Sequence, residues 1–216
     1  MYETSSYLSV LFNSTLQTTS ILSHLIPDLY STSASQNIRI TTLISLLHHL
    51  VAAYPSQNTF RRHLTSLPSW LIPLDSKAHE WVYGVASSLR CLNYSKFEYL
   101  TRPSSFSEFL DSPPESTNNF ESTRTLAHDA LYHLIDALRS KSREKTWKVI
   151  RSAYRELAPE SATTRGWLER SLVLYTVKPG SPDVALDTWL TKKSEEGQLK
   201  RKERSSDCRW IVCKVK

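Results

Sequence analysis

The chain has 216 residues, of which 40% are hydrophobic and 22% charged, with a formal net charge of +6, enough apolar mass for one large domain or two small fused ones. Its four glycines (Gly84, Gly166, Gly180, Gly197) are too few for a multi-stranded sandwich with many tight turns or for a glycine-rich phosphate cradle. The opening MYETSSYLSVLFNS carries Glu3 and no basic n-region, and no apolar run reaches the roughly 18 to 20 residues that span a bilayer, so neither secretion nor membrane insertion is expected.

In chain order, Leu8, Leu11, Phe12, Ile21, Leu22, Leu25, Ile26 and Leu29 recur at spacings of three and four and predict one or two helices, limited by Pro27. Ile38, Ile40, Leu43, Ile44, Leu47, Leu50 and Val51 predict another, stopping before Pro55. Ser56 can cap a short helix with Phe60 and Leu64, and LPSWLIP follows as a proline-bounded connector. Asp75 reads as the N-cap of a helix whose face is Ala78, Trp81, Val82, Val85, Leu89 and Leu92; Ser95 and Glu98 have capping-box spacing for a short helix through Leu100. Residues 101–122, rich in Ser, Pro and acid, read as a long connecting loop or disordered insertion.

Beyond it, Leu126, Ala127, Ala130, Leu131, Leu134, Ile135 and Leu138 predict one amphipathic helix, Trp147, Ile150, Ala153, Tyr154 and Leu157 a second, and Trp167, Leu168 and Leu172 a third. Pro179-Gly180-Ser181-Pro182 marks a turn, after which Asp183 caps a helix carrying Val184, Leu186, Trp189 and Leu190, ended by Gly197. Gln198–Arg201 and Cys208–Cys213 read as two short strands around a polar turn. The predicted fold is therefore mainly α: a helical-repeat region over 1–122, then 123–216 with a C-terminal winged helix from about residue 163.

The charge is concentrated at that end. Between Lys192 and Lys216 nine Lys/Arg face four acids, an excess of five, which points to a polyanion or an acidic protein surface as partner. The candidate residues are Lys192, Lys193, Lys200, Arg201, Lys202, Arg204 and Arg209. A second basic cluster lies on the predicted helices, where Lys141, Lys145 and Lys148 share one face and Lys148, Arg151 and Arg155 another; its plainer reading is a solvated helix face.

Catalytic and metal chemistry finds little to stand on. His48 and His49 are adjacent and point to different sides of a helix, and His128 and His133 are five apart, so neither pair chelates well. Cys91, Cys208 and Cys213 form an odd set without paired zinc spacing and read as reduced thiols of an intracellular protein, in which the Asn13 and Asn93 sequons have no meaning. Ser142 and Lys145 match a Ser-x-x-Lys string, but a charged, exposed helix is a poor place to lower a lysine pKa. Trp81, Trp147, Tyr154, Trp167 and Trp189 lie at helical spacing among aliphatic residues and read as core; whether Trp210 and Val212 or their neighbours face inward is open. No enzyme, cofactor or metal site is expected.

The strings LAHDALYHLIDALR, KTWKVIRSAYREL, TRGWLERSLVL and VALDTWLTKKSEEGQLKRKE, with RWIVCK after them, resemble the carboxyl half of PCI-type domains of the GANP family of messenger-RNA export scaffolds. Upstream, KAHEWVYGVASSLRCLNYSKFEYL is similar to that family's helical pair, so that the likeness spans about residues 35–216; the family's usual opening, a Cys-Pro and an acidic, arginine-rich helix, is absent. The resemblance implies helical repeats fused to a winged helix, docking on another PCI-domain subunit, a small acidic Dss-type protein bound nearby, basic surfaces that contact RNA or DNA, and a nuclear location. Two alternatives stay open: a subunit of another PCI assembly, of proteasome-lid or signalosome type, with purely protein contacts, and a DNA-binding regulator with residues 183–195 in a major groove.

Overall fold

The structure, a computed structural model, describes residues 2–30, 37–110, 118–177, 183–202 and 209–214. Within these the chain is mainly helical: α1 Tyr2–Leu11, α2 Thr15–His24, α3 Ile38–Ala53, α4 Asn58–Ser66, α5 Lys77–Arg90, α6 Tyr94–Leu100, α7 Ser107–Leu110, α8 Asn118–Ala153, α9 Ala162–Ser171 and α10 Leu186–Glu195. One antiparallel sheet, ordered β1-β3-β2, is built from β1 Glu156–Leu157, β2 Leu199–Arg201 and β3 Trp210–Val212. The chain divides into two compact units, one of residues 1–87 and 100–138, the other of 88–99 and 139–216.

In the first unit α1 and α2 pair across a turn in which Asn13 adopts the left-handed conformation, φ 56°, that asparagine tolerates better than most residues. Ile26, held extended as the residue before Pro27 must be, breaks the helical run into a π-type turn over Leu25–Leu29. Leu25, Ile26, Tyr30 and Leu71 form a small core there. α3 is buried on nearly every side, so its polar residues must be satisfied internally. Thr41 and Thr42 bond back to the carbonyls of Asn37 and Ile38, and the Tyr7 hydroxyl lies 2.6 Å from Thr41 Oγ1. The Tyr30 hydroxyl donates to Glu3 Oε1 at 2.6 Å, and both tyrosines are pushed well above the usual phenol range, first by burial.

Several expected caps move. Ser76, one residue past Asp75, accepts the His79 N–H at 3.2 Å at the start of α5. Asn93 accepts the Lys96 N–H at 3.0 Å and opens α6 two residues before the Ser95–Glu98 pattern would. Asp183 does not cap α10, whose N-cap is Ala185; its carboxylate instead takes the Thr176 N–H at 2.6 Å, and the turn expected over Pro179–Pro182 lies outside the described residues.

The segment expected to be a loop over 101–122 holds a 3₁₀ turn, Pro103–Ser105, and α7, and α8 begins at Asn118. Fully buried Phe106 anchors its first part, with ring centroids 5.4 Å from Trp81 and 5.8 Å from Tyr132, while the Trp81 indole donates to the Leu100 carbonyl at 2.7 Å; residues 111–117 lie outside the described residues. The two helices expected over 126–157 are one, the 36-residue α8. Arg139–Lys145 holds no Pro or Gly to stop it, and its buried stripe continues through polar residues: Ser142 and Thr146 bond to the carbonyls of Arg139 and Ser142. Buried Arg139 donates to the Tyr175 carbonyl, and Arg143 bridges the Leu172 and Val173 carbonyls at 2.9 and 2.7 Å. That clamp satisfies the end of α9, where Val173 sits at φ 54°.

The second unit's core joins Trp147, Ile150, Leu157, Leu168, Leu172, Leu174, Leu186, Trp189, Leu190, Leu199 and Val212. Trp147 meets Trp189 edge-on at 4.7 Å, a favoured aromatic geometry. Leu157, assigned to a helix face above, instead lies in β1, a two-residue strand too short to leave a period in the sequence.

Candidate functional site

Strand register sets the two faces of the sheet. Leu199 pairs with Val212, Arg201 and Leu157 with Trp210, and Lys200 and Glu156 both with Ile211. Alternation therefore turns Leu157, Leu199, Trp210 and Val212 toward the core and Glu156, Lys200 and Ile211 outward, which settles the side on which Trp210 packs. Arg201 shares the inner side but stays exposed at the strand end. Lys202, whose N–H donates to the Arg209 carbonyl at 2.9 Å, continues the outer face.

Glu156 organises that face. Lys202 Nζ donates to its Oε1 at 2.9 Å and Arg209 Nη1 lies 3.9 Å from its Oε2. Its carboxyl is held below the usual carboxylate range, chiefly by the Lys202 hydrogen bond. Two cations, Lys202 and Arg209, then hold one carboxylate, and Ile211 lies on the same face, an isoleucine left 40% exposed on the central strand. Lys200 and Arg201 are exposed and make no ion pair among the described residues.

The other candidates separate by burial. Lys192 is exposed at the end of α10, but Lys193 is only 5% exposed. Its ammonium is bound to Glu196 at 3.0 Å and Glu144 at 3.5 Å and lies 5.6 Å from the Trp189 ring centroid, so it is not offered to a polyanion. Arg204 lies outside the described residues. On α8, Lys141, Lys145 and Lys148 are exposed, and Arg155, expected on the same helix face, is exposed beyond the helix end at Ala153, whereas Arg151 turns inward. Its guanidinium donates to the Cys213 carbonyl at 2.9 and 3.1 Å and to Gln198 Oε1, which also receives the Trp147 indole N–H. Gln198 and Glu156 are the organising residues that the sequence reading missed; a glutamine and a glutamate beside lysines carry no local signal of such roles.

In the first unit three histidines meet that the sequence did not group. His48 Nε2 lies 2.9 Å from Thr19 Oγ1, His63 Nε2 lies 2.8 Å from Ser45 Oγ, and the His49 ring sits 4.5 Å from His63 and 5.7 Å from His48. Burial first, then the neighbouring imidazoles, pull His48 and His63 down to about 4, and burial lowers His49 as well.

Among the described residues no group of three or more His, Cys, Asp or Glu side chains could hold a metal ion, and no helix is long and apolar enough to cross a membrane. Buried Ser142 donates to its own helix while Lys145 is exposed, so the Ser-x-x-Lys string forms no paired site. Comparison with known protein families, with curated proteins and with solved structures finds no match for this chain.

Proposed function

We propose that the chain is a non-enzymatic scaffold of PCI type, acting in nuclear mRNA processing or export, whose C-terminal unit is a winged helix that binds protein partners and, through its cationic face, RNA. The observation that carries this reading is the order in the second unit: the end of α8, β1, α9, α10, then the β2–β3 hairpin, with β3 central and antiparallel to both neighbours. That is the order and pairing a winged helix requires. The partners it implies are another PCI-domain subunit and a small acidic Dss-type protein.

A subunit of another PCI assembly, making protein contacts alone, is the second reading, and the exposed Ile211 favours it because an apolar residue on a charged face suits a protein interface. A DNA-reading role has less support. With Lys193 bound to Glu144 and Glu196, Lys192 is the exposed cation that α10 offers to a groove, beside Thr188 and Thr191.

The test is the double charge reversal Lys200→Glu/Arg201→Glu, made at two exposed positions. Filter binding to single-stranded RNA is expected to weaken, with the slope of log Kd against log salt falling by roughly one to two, the scale of two lost phosphate contacts. Unchanged filter binding together with an unchanged pull-down of protein partners would remove the cationic face from the account.

A further inference from the structure

Tyr154 and Trp167 leave the core that their spacing suggests. Tyr154, just past the end of α8, is 47% exposed, and its ring lies 5.3 Å from that of half-buried Trp167 on α9, inclined at 58°. Trp167 is fixed from below, packed on the core of the second unit. One ring is therefore backed by the core and the other stands half in solvent against it.

The surroundings are cationic. Arg155 is exposed next to Tyr154, Lys148 is exposed one and a half turns back on α8, and Arg170 is exposed one turn beyond Trp167, its Nε held by the Gly166 carbonyl at 3.1 Å. Only Arg155 separates Tyr154 from Glu156, so their Cα atoms lie within about 7 Å, and Glu156 is where Lys202 and Arg209 converge. The aromatic pair and the cationic sheet face thus belong to the same unit, joined by the short step from Tyr154 into β1. Exposed rings beside a cationic track are the arrangement by which proteins hold single strands without reading sequence: the cations follow the phosphates and a base lies on the ring. An acidic peptide would use the cations and leave the ring faces idle.

We propose that Tyr154, backed by Trp167 and attended by Arg155, Lys148 and Arg170, is a base-stacking platform for single-stranded nucleic acid in the same unit as the cationic sheet face of Lys200, Lys202 and Arg209. The proposal rests on the polyanion-binding reading of that face and assigns it a ligand class.

The experiment measures fluorescence anisotropy of labelled oligouridylate on the full chain at several salt concentrations, with heparin as a polyanion that has no bases. Tyr154→Ala is expected to weaken oligouridylate binding about 10-fold, the scale of one lost base–aromatic stack, with the salt slope unchanged and heparin binding unaffected. Tyr154→Phe, which keeps the ring, is expected to bind as the parent does. Lys200→Glu/Arg201→Glu should instead flatten the salt slope for both ligands. If Tyr154→Ala binds oligouridylate like the parent while the charge reversal weakens it, the stacking platform is wrong and the cationic face survives. Equal losses for oligouridylate and heparin in Tyr154→Ala would likewise overturn it, since a base is then not what the ring holds. No binding of oligouridylate by the parent would overturn both.

Discussion

Stability of the first unit is expected to fall as the pH drops from 6.5 toward 4, because three imidazoles, one buried and two half-buried, are packed together where their charged forms are disfavoured. The unfolded chain takes up protons at the ordinary histidine value of 6.5, whereas His48 and His63 in the fold do so only near 4. Over that window the unfolded state binds more protons, so unfolding free energy rises with pH. The stabilisation is fully present above 6.5, is lost progressively on acidification, and is gone below about 4. His48 alone contributes about 3 kcal/mol to this dependence. Half-buried His63 contributes less, because water screens part of its charge. The urea midpoint should drop steeply across the window, mostly above the range where carboxylates titrate, and His48→Gln/His63→Gln should flatten it. A midpoint that stays constant between these pH values would show that the rings do not meet as described.

Trp147→Ala is expected to cost about 3 to 5 kcal/mol, the range for truncating a buried aromatic residue. Trp147 is 1% exposed, meets Trp189 edge-on, and ties α8 to the sheet-bearing end through Gln198, which also receives Arg151. Loss of the indole empties the centre of the second core. Trp147→Phe keeps one aromatic ring but removes the N–H donor and part of the indole's volume, and since Arg151 still reaches Gln198 Oε1 at 3.3 Å its cost should be about 1 to 2 kcal/mol. Urea unfolding followed by near-ultraviolet circular dichroism separates the two. A loss of less than about 1 kcal/mol for the alanine variant would contradict the assignment of this core.

The mainly helical class was legible because apolar residues recur at helical spacing through α3, α5 and α8. The hairpin strands were legible as well, being short alternating runs on either side of a polar turn. The continuity of α8 was hidden because Arg139, Ser142 and Thr146 occupy buried positions and satisfy themselves on backbone carbonyls, so the apolar stripe lapses where the helix does not. β1 was hidden by its length, and the fate of Lys193 by its partners, since burial of a lysine depends on Glu144, 49 residues away. His63 meets His49 from another helix, a tertiary fact that no local spacing contains. Of the candidate site, the basic character of the end was written in composition; which cations point outward was decided by strand register, with Lys200 outward and Arg151 turned to Cys213.

The most direct test of the scaffold reading is the identity of the proteins that co-purify with the full chain after nuclease treatment, compared with the Lys200→Glu/Arg201→Glu variant. The account predicts another PCI-domain subunit and a small acidic protein that survive nuclease, with RNA recovered only in its absence and reduced in the variant. A chain that purifies without such partners, or that carries a hydrolytic or transfer activity in pure form, would contradict it.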